Sequence, residues 1–522
     1  DHGEVIKSTT ANNYNCIDPE LIVDYDNKVW LAFGSFWSGM KMIAIDPATG
    51  KQLASNKTIY AIAGRGGGAI EGPSLSKNNG YYYLFVAWDK CCDGINSTYR
   101  TMMGRSQNIT GPYVDKTGKD LNSSGGTQML ARYGRYIGPG GGSPFTDGRR
   151  TYFVNHYYNA NQNGAANLQI REIVYDNTNW PNITQPFLGR RQSFEAEHAQ
   201  ITNADILTTN AASNSEYIGN IDATDSRVVF HINALQGGEY TVRIRFSSPA
   251  GASSHFLKVN SGAETEILYP ASPAIVDFPE SRVILKTVTL TEGYNILTFR
   301  KGNGVAHLDR IDLVRSAKNS IEGGSFDDSK IVDYVAAGNN ANFSSGDYAQ
   351  FENIDFGQGG NVRALISFSG SCNGQIKLAI DGNNGTVSTT NSVNVSAAVQ
   401  DHSIVMPAVI ANLNGIHDLY MTYTGTGGCA LDHLKFTSTI TGLEEDQLSS
   451  HISVYPNPFT NSFEILSDTE VNYEVLDMMG KLITKGVSSG LRVINLEGEK
   501  GTYFVRLFKN GQNPVVRKII KN

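Results

Sequence analysis

A chain of 522 residues has room for roughly three or four domains of ~100–200 residues each, so one function need not account for all of it. Charged residues make up 18% and the formal net charge is −7, which gives no electrostatic case for nucleic acid or an anionic membrane surface, since both call for basic patches. The 54 glycines and 25 tyrosines, with few helix-favouring runs, point to an all-β, loop-rich protein, and no run of ~18 or more apolar residues would span a bilayer.

The chain opens at Asp1-His2-Gly3, without a Met or a signal peptide and as if inside a domain, so the expectation is that residues precede it in the natural protein. Residues 15–74 then place two acids in similar settings, Cys16-Ile17-Asp18-Pro19-Glu20-Leu21 and Ile70-Glu71-Gly72-Pro73-Ser74. Each carboxylate stands between an apolar residue and Pro or Gly-Pro, which predicts a strand start where the backbone turns inward. An Asp-Pro pair alone is usually a turn or cap. Here, however, the two acids flank Ser35-Phe36-Trp37-Ser38-Gly39-Met40, whose aromatics offer an apolar face to sugar C–H groups. Two buried carboxyls meeting at one central hollow, with Trp37 close by, would suit cleavage of a glycosidic bond. That chemistry keeps one carboxyl protonated as general acid, and a neighbouring carboxylate helps raise its pKa.

Three segments repeat one design: residues 29–45 (VWLAFGS, then MKMIAI), 81–106 (YYYLFVAWD, then YRTMMGRS) and 150–174 (TYFVNHYY, then LQIREIV). Asn79-Gly80 and Asp147-Gly148 lead into two of them as tight hairpin turns. A spacing of roughly 50–70 residues per four-stranded unit is that of a propeller blade. Three blades leave strand edges open unless others close the ring. Of the five cysteines, adjacent Cys91 and Cys92 could form a vicinal disulfide or remain two buried thiols. Cys372 and Cys429 could pair across one later module in an oxidising compartment, and Cys16 reads as a small buried residue.

The Ile-Asp-Pro and Glu-Gly-Pro motifs resemble those of arabinanase-type members of glycoside hydrolase family 43, five-bladed propellers that carry one on one blade and the other on the next. The resemblance implies that Glu71 is the general acid, that Asp18 orients and tunes it, and that Phe36 and Trp37 stack on arabinose rings. It implies endo-acting cleavage of α-1,5-linked L-arabinofuranose in arabinan with net inversion, and plant arabinan or arabinoxylan as the polysaccharide partner. Exo-α-L-arabinofuranosidase, β-xylosidase and a non-catalytic glycan-binding protein are the competing readings. The family's general base is an Asp of the first blade, which is not in this sequence, so the chain as it stands is expected to be nearly inactive. His156 matches a histidine that points along the propeller axis at a calcium or sodium ion, although a lone His in an aromatic strand is more often a core residue. Residues 138–143 (Gly-Pro-Gly-Gly-Gly-Ser) depart from the family's Gly-Pro-Gly-His, and Arg105 matches a family position on the acid's blade.

After Arg190-Arg191 the pattern changes. Phe194-Glu195-Ala196-Glu197 opens a set of alternating strands that ends in His307-Leu308-Asp309-Arg310-Ile311, and the pair resembles the β-sandwich carbohydrate-binding modules of families 6 and 35. By that resemblance Glu195, Glu197 and Asp309 hold a structural calcium, an ion suited to hard oxygen ligands. Tyr217 matches a loop aromatic that stacks on sugar, and His307 stands where a ligand-binding Asn is common. A second, family 6-like copy follows, with Gly324 in place of one acidic ligand, Asp347-Tyr348 inside it and Ala430-Leu431-Asp432-His433 closing it.

Residues 441–450 form a polar, acidic linker. The order of Val454-Tyr455-Pro456-Asn457-Pro458-Phe459, Leu476-Asp477-Met478-Met479-Gly480-Lys481 and Gly501-Thr502-Tyr503-Phe504-Val505 resembles the C-terminal sorting domain of the type IX secretion system of Bacteroidetes. The expected architecture is thus all-β. A partial five-bladed β-propeller (1–188) is followed by two jelly-roll β-sandwich modules (191–316 and 317–438) and a small C-terminal β-sandwich (450–522). The protein is expected to be secreted or attached to the cell surface, with no nucleic-acid partner and no membrane span.

Overall fold

A computed structural model of the chain describes residues 3–317, 319–330, 332–335, 340–357, 361–370, 372–382, 391–396, 402–405, 413–439, 452–478, 480–508 and 515–522. Among these residues the regular structure is strand and short 3-10 turns only. The first blade holds β1 (Glu20–Val23), β2 (Val29–Phe33), β3 (Met40–Asp46), β4 (Lys51–Gln52) and β5 (Tyr60–Ala63), in the order β1-β2-β3-β4 with β5 beside β3. The second holds β6 (Ile70–Asn78), β7 (Tyr81–Trp88), β8 (Arg100–Ser106) and β9 (Thr127–Leu130) in sequence order. The third holds β10 (Tyr136–Asp147), β11 (Arg150–Asn159), β12 (Ala165–Tyr175) and β13 (Pro181–Pro186), again in sequence order. The glycine-rich residues 138–143 lie inside β10, which absorbs them through two register shifts against β11.

The apolar run of β7 does not alternate because both of its faces are covered. Tyr82, Leu84, Val86 and Trp88 pack with Trp30, Ala32 and Met42 of the first blade. Tyr83 and Phe85 pack with Phe153, Ile173 and Trp180 of the third. The β6–β7 turn places Asn79 (φ 45°) and Gly80 (φ 80°) both in the left-handed region, as a two-residue hairpin requires. Arg105 is structural: its guanidinium lies over the Tyr81 and Trp180 rings and donates to the Asn179 carbonyl at 3.0 Å.

The inner strands β1, β6 and β10 lie side by side. Ser74 Oγ donates to the Gly142 carbonyl at 2.7 Å, and Ser143 Oγ to Glu20 Oε1 at 3.2 Å, so polar bonds tie the three inner edges together. Cys91–Cys92, for which the sequence left two buried thiols open, and Cys372–Cys429 are both disulfide-bonded. Cys16 is a partly buried free thiol against the Phe33 and Ile43 cluster.

The first module is a two-sheet sandwich of β14 (Ser193–Glu195), β15 (Gln200–Thr202), β16 (Asp205–Thr208), β17 (Glu216–Gly219), β18 (Arg227–Ala234), β19 (Gly238–Ser247), β20 (Ser253–Val259), β21 (Thr265–Tyr269), β22 (Val283–Leu290), β23 (Gly293–Lys301) and β24 (His307–Ser316). One sheet runs β15-β18-β23-β20-β21, and the other is built on β24, which pairs with β14, β17 and β19. Alternate residues Val228, Phe230 and Ile232 of one sheet meet Val242, Ile244 and Phe246 of the other. The end of β24 pairs in parallel with Tyr348–Asp355 of the second module through Arg315 and Ser316, so one sheet runs on from module to module.

A buried ionic hub joins these modules to the third blade. Arg149 sits in the β10–β11 turn and Arg150 opens β11. Arg150 donates twice to Glu172 at 2.9 Å and once to Asp327 at 3.5 Å. The fully buried Asp327 carboxylate also pairs with Arg315, accepts from Gln192 Nε2 at 2.6 Å and accepts from the Glu352 backbone N–H at 2.8 Å. Burial, and then the charge of Asp327, holds the Glu352 carboxyl above its ordinary pKa.

The C-terminal unit is a separate small β-structure. Its 16-residue strand Ser462–Asp477 pairs first with Ile452–Tyr455 and then with Gly501–Phe508. Phe463, Ile465, Val475, Val505 and Leu507 form its core. The predicted linker at 441–450 lies outside the described residues.

Candidate active site at the inner edge of the blades

Asp18 lies just before β1 and Glu71 is the second residue of β6, so adjacent inner strands bring the two acids close together. Asp18 takes a left-handed φ of 54°, and its Oδ2 accepts from the backbone N–H of Gly72 at 3.2 Å. The residue after Glu71 thus holds Asp18. Burial lifts the Asp18 pKa most, the Gly72 bond opposes this, and the charge of Glu71 adds to the rise. The pair meets as expected, with one correction: Asp18 is exposed and Glu71 only half-buried, because Asp18 sits on the turn ahead of β1 and not inside a sheet.

Glu71 is held by two hydroxyls. Tyr99 donates to Oε1 at 2.7 Å and Ser35 to Oε2 at 3.1 Å. Ser35 is brought there by an isolated antiparallel bridge to Glu71 and by Phe36 N–H donating to the Ile70 carbonyl at 2.7 Å. Tyr99 is buried, and its pKa is pushed far above the ordinary value by burial first and then by the hydrogen bond to Glu71. Its ring rests on the glycine run of β10, where a Cβ at Gly140 would come within 2.3 Å of the Tyr99 ring. Those glycines therefore serve close packing. Tyr99 was not singled out from sequence; the only local sign is a Tyr directly ahead of the β8 strand.

His156 stacks on Tyr99 at 5.8 Å and meets Tyr158 edge-on at 5.3 Å, and burial lowers its pKa, so the imidazole is neutral. Its buried Nε2 has no hydrogen-bond partner among the described residues, but no group of three or more His, Cys, Asp and Glu there could hold a metal ion. Phe36 and Trp37 are 42% and 58% exposed, at φ of 55° and 44°, on the turn after Ser35. Two aromatic residues in the left-handed region are strained by about 1–3 kcal/mol each, so the turn displays them at an energetic cost.

In the first module, Ser213 bridges two of the three expected calcium ligands: its N–H donates to Asp309 Oδ1 at 2.9 Å and its hydroxyl lies against Glu195 and Asp309. Burial first raises Glu195 to about 7 and Glu197 to about 8, the latter helped by the charge of Glu195. Glu197 Oε2 is buried and unpartnered among the described residues. These two fit a hard cation. Asp309 fits less well, being committed to Arg245 at 2.9 Å. Tyr217 corrects the reading from sequence. It lies on strand β17 and not on a loop, 7% exposed, with its ring packed on Phe278 at 5.2 Å and His307 at 5.4 Å, so no face is free for sugar.

Among the described residues no helix is long and apolar enough to cross a membrane. Residues 1–182 match the family model of glycosyl hydrolases family 43. Residues 192–316 match carbohydrate binding module family 35, residues 317–438 match carbohydrate binding module family 6, and residues 453–522 match the secretion system C-terminal sorting domain. The chain is 49% identical over 184 residues to extracellular endo-α-(1→5)-L-arabinanase 1 of Bacillus subtilis, covering 35% of this chain and 55% of that one. It is 36% identical to an extracellular exo-α-(1→5)-L-arabinofuranosidase of Cellvibrio japonicus, covering 35% and 56%. A solved endo-arabinanase from Bacillus licheniformis shares 42% identity over 35% of this chain and 61% of that chain, with a TM-score of 0.33. The chain thus spans about half the length of the relatives it matches. It joins a family 43 glycosyl hydrolase segment to two carbohydrate-binding modules and a type IX secretion sorting domain, which addresses it for export.

Proposed function

We propose that the propeller segment is part of a secreted glycoside hydrolase that cleaves arabinan, endo-acting on α-1,5-linked L-arabinofuranose with inversion. The observation that carries this reading is Glu71, fixed by Tyr99 and Ser35 at the head of β6, with Asp18 tied to the next backbone amide and Trp37 exposed alongside. Tyr99 keeps its proton and stays a donor to Oε1, so the proton that Glu71 transfers sits on Oε2. There Oε2–H can donate to the Ser35 hydroxyl oxygen, which rotates to accept the hydrogen bond, and then pass its proton to the leaving oxygen, Glu71 becoming the carboxylate. Asp18 holds a second carboxyl beside the acid, and the charge of Glu71 adds to the rise in the Asp18 pKa. In an inverting scheme a third carboxylate activates water about 6.5–9.5 Å from the acid. We place that base on a blade outside residues 1–188.

The similarity to an exo-acting relative makes exo cleavage the second reading, and the length of the first products separates the two. The modules are proposed to hold the enzyme on arabinan or arabinoxylan. Glu195 and Glu197 are proposed to hold a structural calcium in the first of them, where the ion would offset their buried charge. Glu71→Ala tests the assignment in a protein carrying the complete propeller: hydrolysis of linear arabinan is lost and binding is kept. Unchanged turnover would refute the acid.

A further inference from the structure

Glu195 and Glu197, the two carboxyls that fit a hard cation, stand one residue apart at the end of β14 and in the 3-10 turn Ala196–His198. The backbone on either side of them is fastened to the third blade. Ahead of the turn, Gln185 of β13 is bonded through both atoms of its amide: Oε1 accepts from the Glu195 N–H at 2.8 Å, and Nε2 donates to the Ser193 carbonyl. Behind it, the Tyr136 hydroxyl at the start of β10 accepts from Arg135 Nη2 at 3.2 Å and donates to His198 Nε2 at 2.7 Å, with the Tyr136 and His198 rings edge to face at 5.3 Å. A further contact pairs Arg135 with Glu216 at 3.8 Å. Glu216 opens β17 just after Asn214, whose Nδ2 donates to Glu197 Oε1 at 2.8 Å. Tyr136, Glu197, His198 and Glu216 are all buried.

The turn is therefore held firmly from the blade and less completely from the module, where Glu197 Oε2 has no partner among the described residues. A cation drawing Glu195 and Glu197 together would fix the module side, and His198, the next residue along, cannot shift without moving Glu197. We infer that cation occupancy at Glu195 and Glu197 is transmitted through Gln185 and His198 to the third blade, so that the site sets how firmly the first module is docked on the propeller segment. The inference rests on the calcium reading for the identity of the ion alone. The coupling is reciprocal: docking on the blade also holds the turn in the form that takes the ion. The ionic hub at Arg150 fastens the same blade beyond the far end of β10 and contains neither carboxyl, so it provides an internal control.

Amide exchange in the full chain reads the coupling segment by segment. Calcium at about 100 times its dissociation constant should slow exchange over residues 193–199 by about 10- to 100-fold relative to chelator, and over 133–137 and 183–187 by a similar factor. Residues 150–154, beside the hub, should change by less than about twofold. Tyr136→Phe combined with Gln185→Leu removes both fastenings and neither carboxyl. In that variant calcium should still bind by calorimetry and still protect 193–199, while the two blade segments lose their protection. Should the double change prevent folding, Tyr136→Phe alone, which keeps the ring packing, repeats the test over 133–137. Protection confined to 193–199 in wild type, equal protection of the blade segments in wild type and variant, or a matching change at 150–154 overturns the coupling and leaves the calcium reading standing. Slowing of the module and blade segments by manganese and not by calcium keeps the coupling and overturns calcium as the ion. No slowing by either cation overturns both.

Discussion

Removing Asp327 tests whether the blade and the two sandwiches act as one body. Its carboxylate is fully buried between Arg150 and Arg315, whose side chains are 6% and 9% exposed. Asp327→Ala would leave two guanidinium groups short of a counter-charge, and the loss of one partner from a buried pair costs about 3–5 kcal/mol. Part of this returns, because Asp327's own charge is what most opposes Glu352 after burial, and without it Glu352 ionises more readily with Arg190 favouring its charge. The expected net loss is roughly 2–4 kcal/mol. The chain has several cooperative units, so the readout should be local: amide exchange in the full chain over residues 150–154 and 313–316, accelerated roughly 30- to 1000-fold. Adding Glu352→Gln should make the loss exceed the sum of the single changes, since the compensating charge is then gone. Exchange within about threefold of wild type would show that the hub does not hold the modules together.

Gly140→Ala has no left-handed backbone to strain, so its effect is steric: the new methyl meets the Tyr99 ring at 2.3 Å. It should lower stability by about 1–3 kcal/mol in thermal or urea unfolding of the propeller segment. Tyr99→Phe keeps the packing and removes one donor from Glu71, a hydrogen bond to the protonated acid worth about 0.5–1.5 kcal/mol. Turnover by a complete propeller should fall about 2- to 10-fold while the melting temperature stays nearly level. Glu197 has a folded pKa of about 8 against an ordinary 4.5. Below about 4.5 both states bind the proton; between 4.5 and 8 only the folded state does, so stability falls as pH rises and is lowest above 8. With a chelator present, Glu197→Gln should flatten that fall in amide exchange over residues 193–201. Calcium at pH 8 should restore protection in wild type and not in the variant.

The strand pattern was legible because local rules governed it. The YYYLFVAWD run, the Asn79-Gly80 turn and the two acid motifs each carry their instruction within about ten residues, and the three blades follow. The environment of a side chain was less legible. Tyr217 reads as a surface aromatic from its motif, yet Phe278 and His307, distant in sequence, cover it. Asp18 reads as buried, yet the turn before β1 leaves it exposed.

From the sequence alone came the all-β class, the modular order, the export signal, and Asp18 and Glu71 as a pair. Only the tertiary structure decided that Tyr99 and Ser35 hold Glu71, that the glycines of β10 make room for Tyr99, and that Asp327 collects one arginine from the third blade and one from the first module. The physical reason is reach. Strand and turn preferences act between neighbours along the chain, whereas the partners of Glu71 lie 36 and 28 residues away, and Asp327 meets Arg150 across 177. Those meetings exist only once sheets have packed against one another.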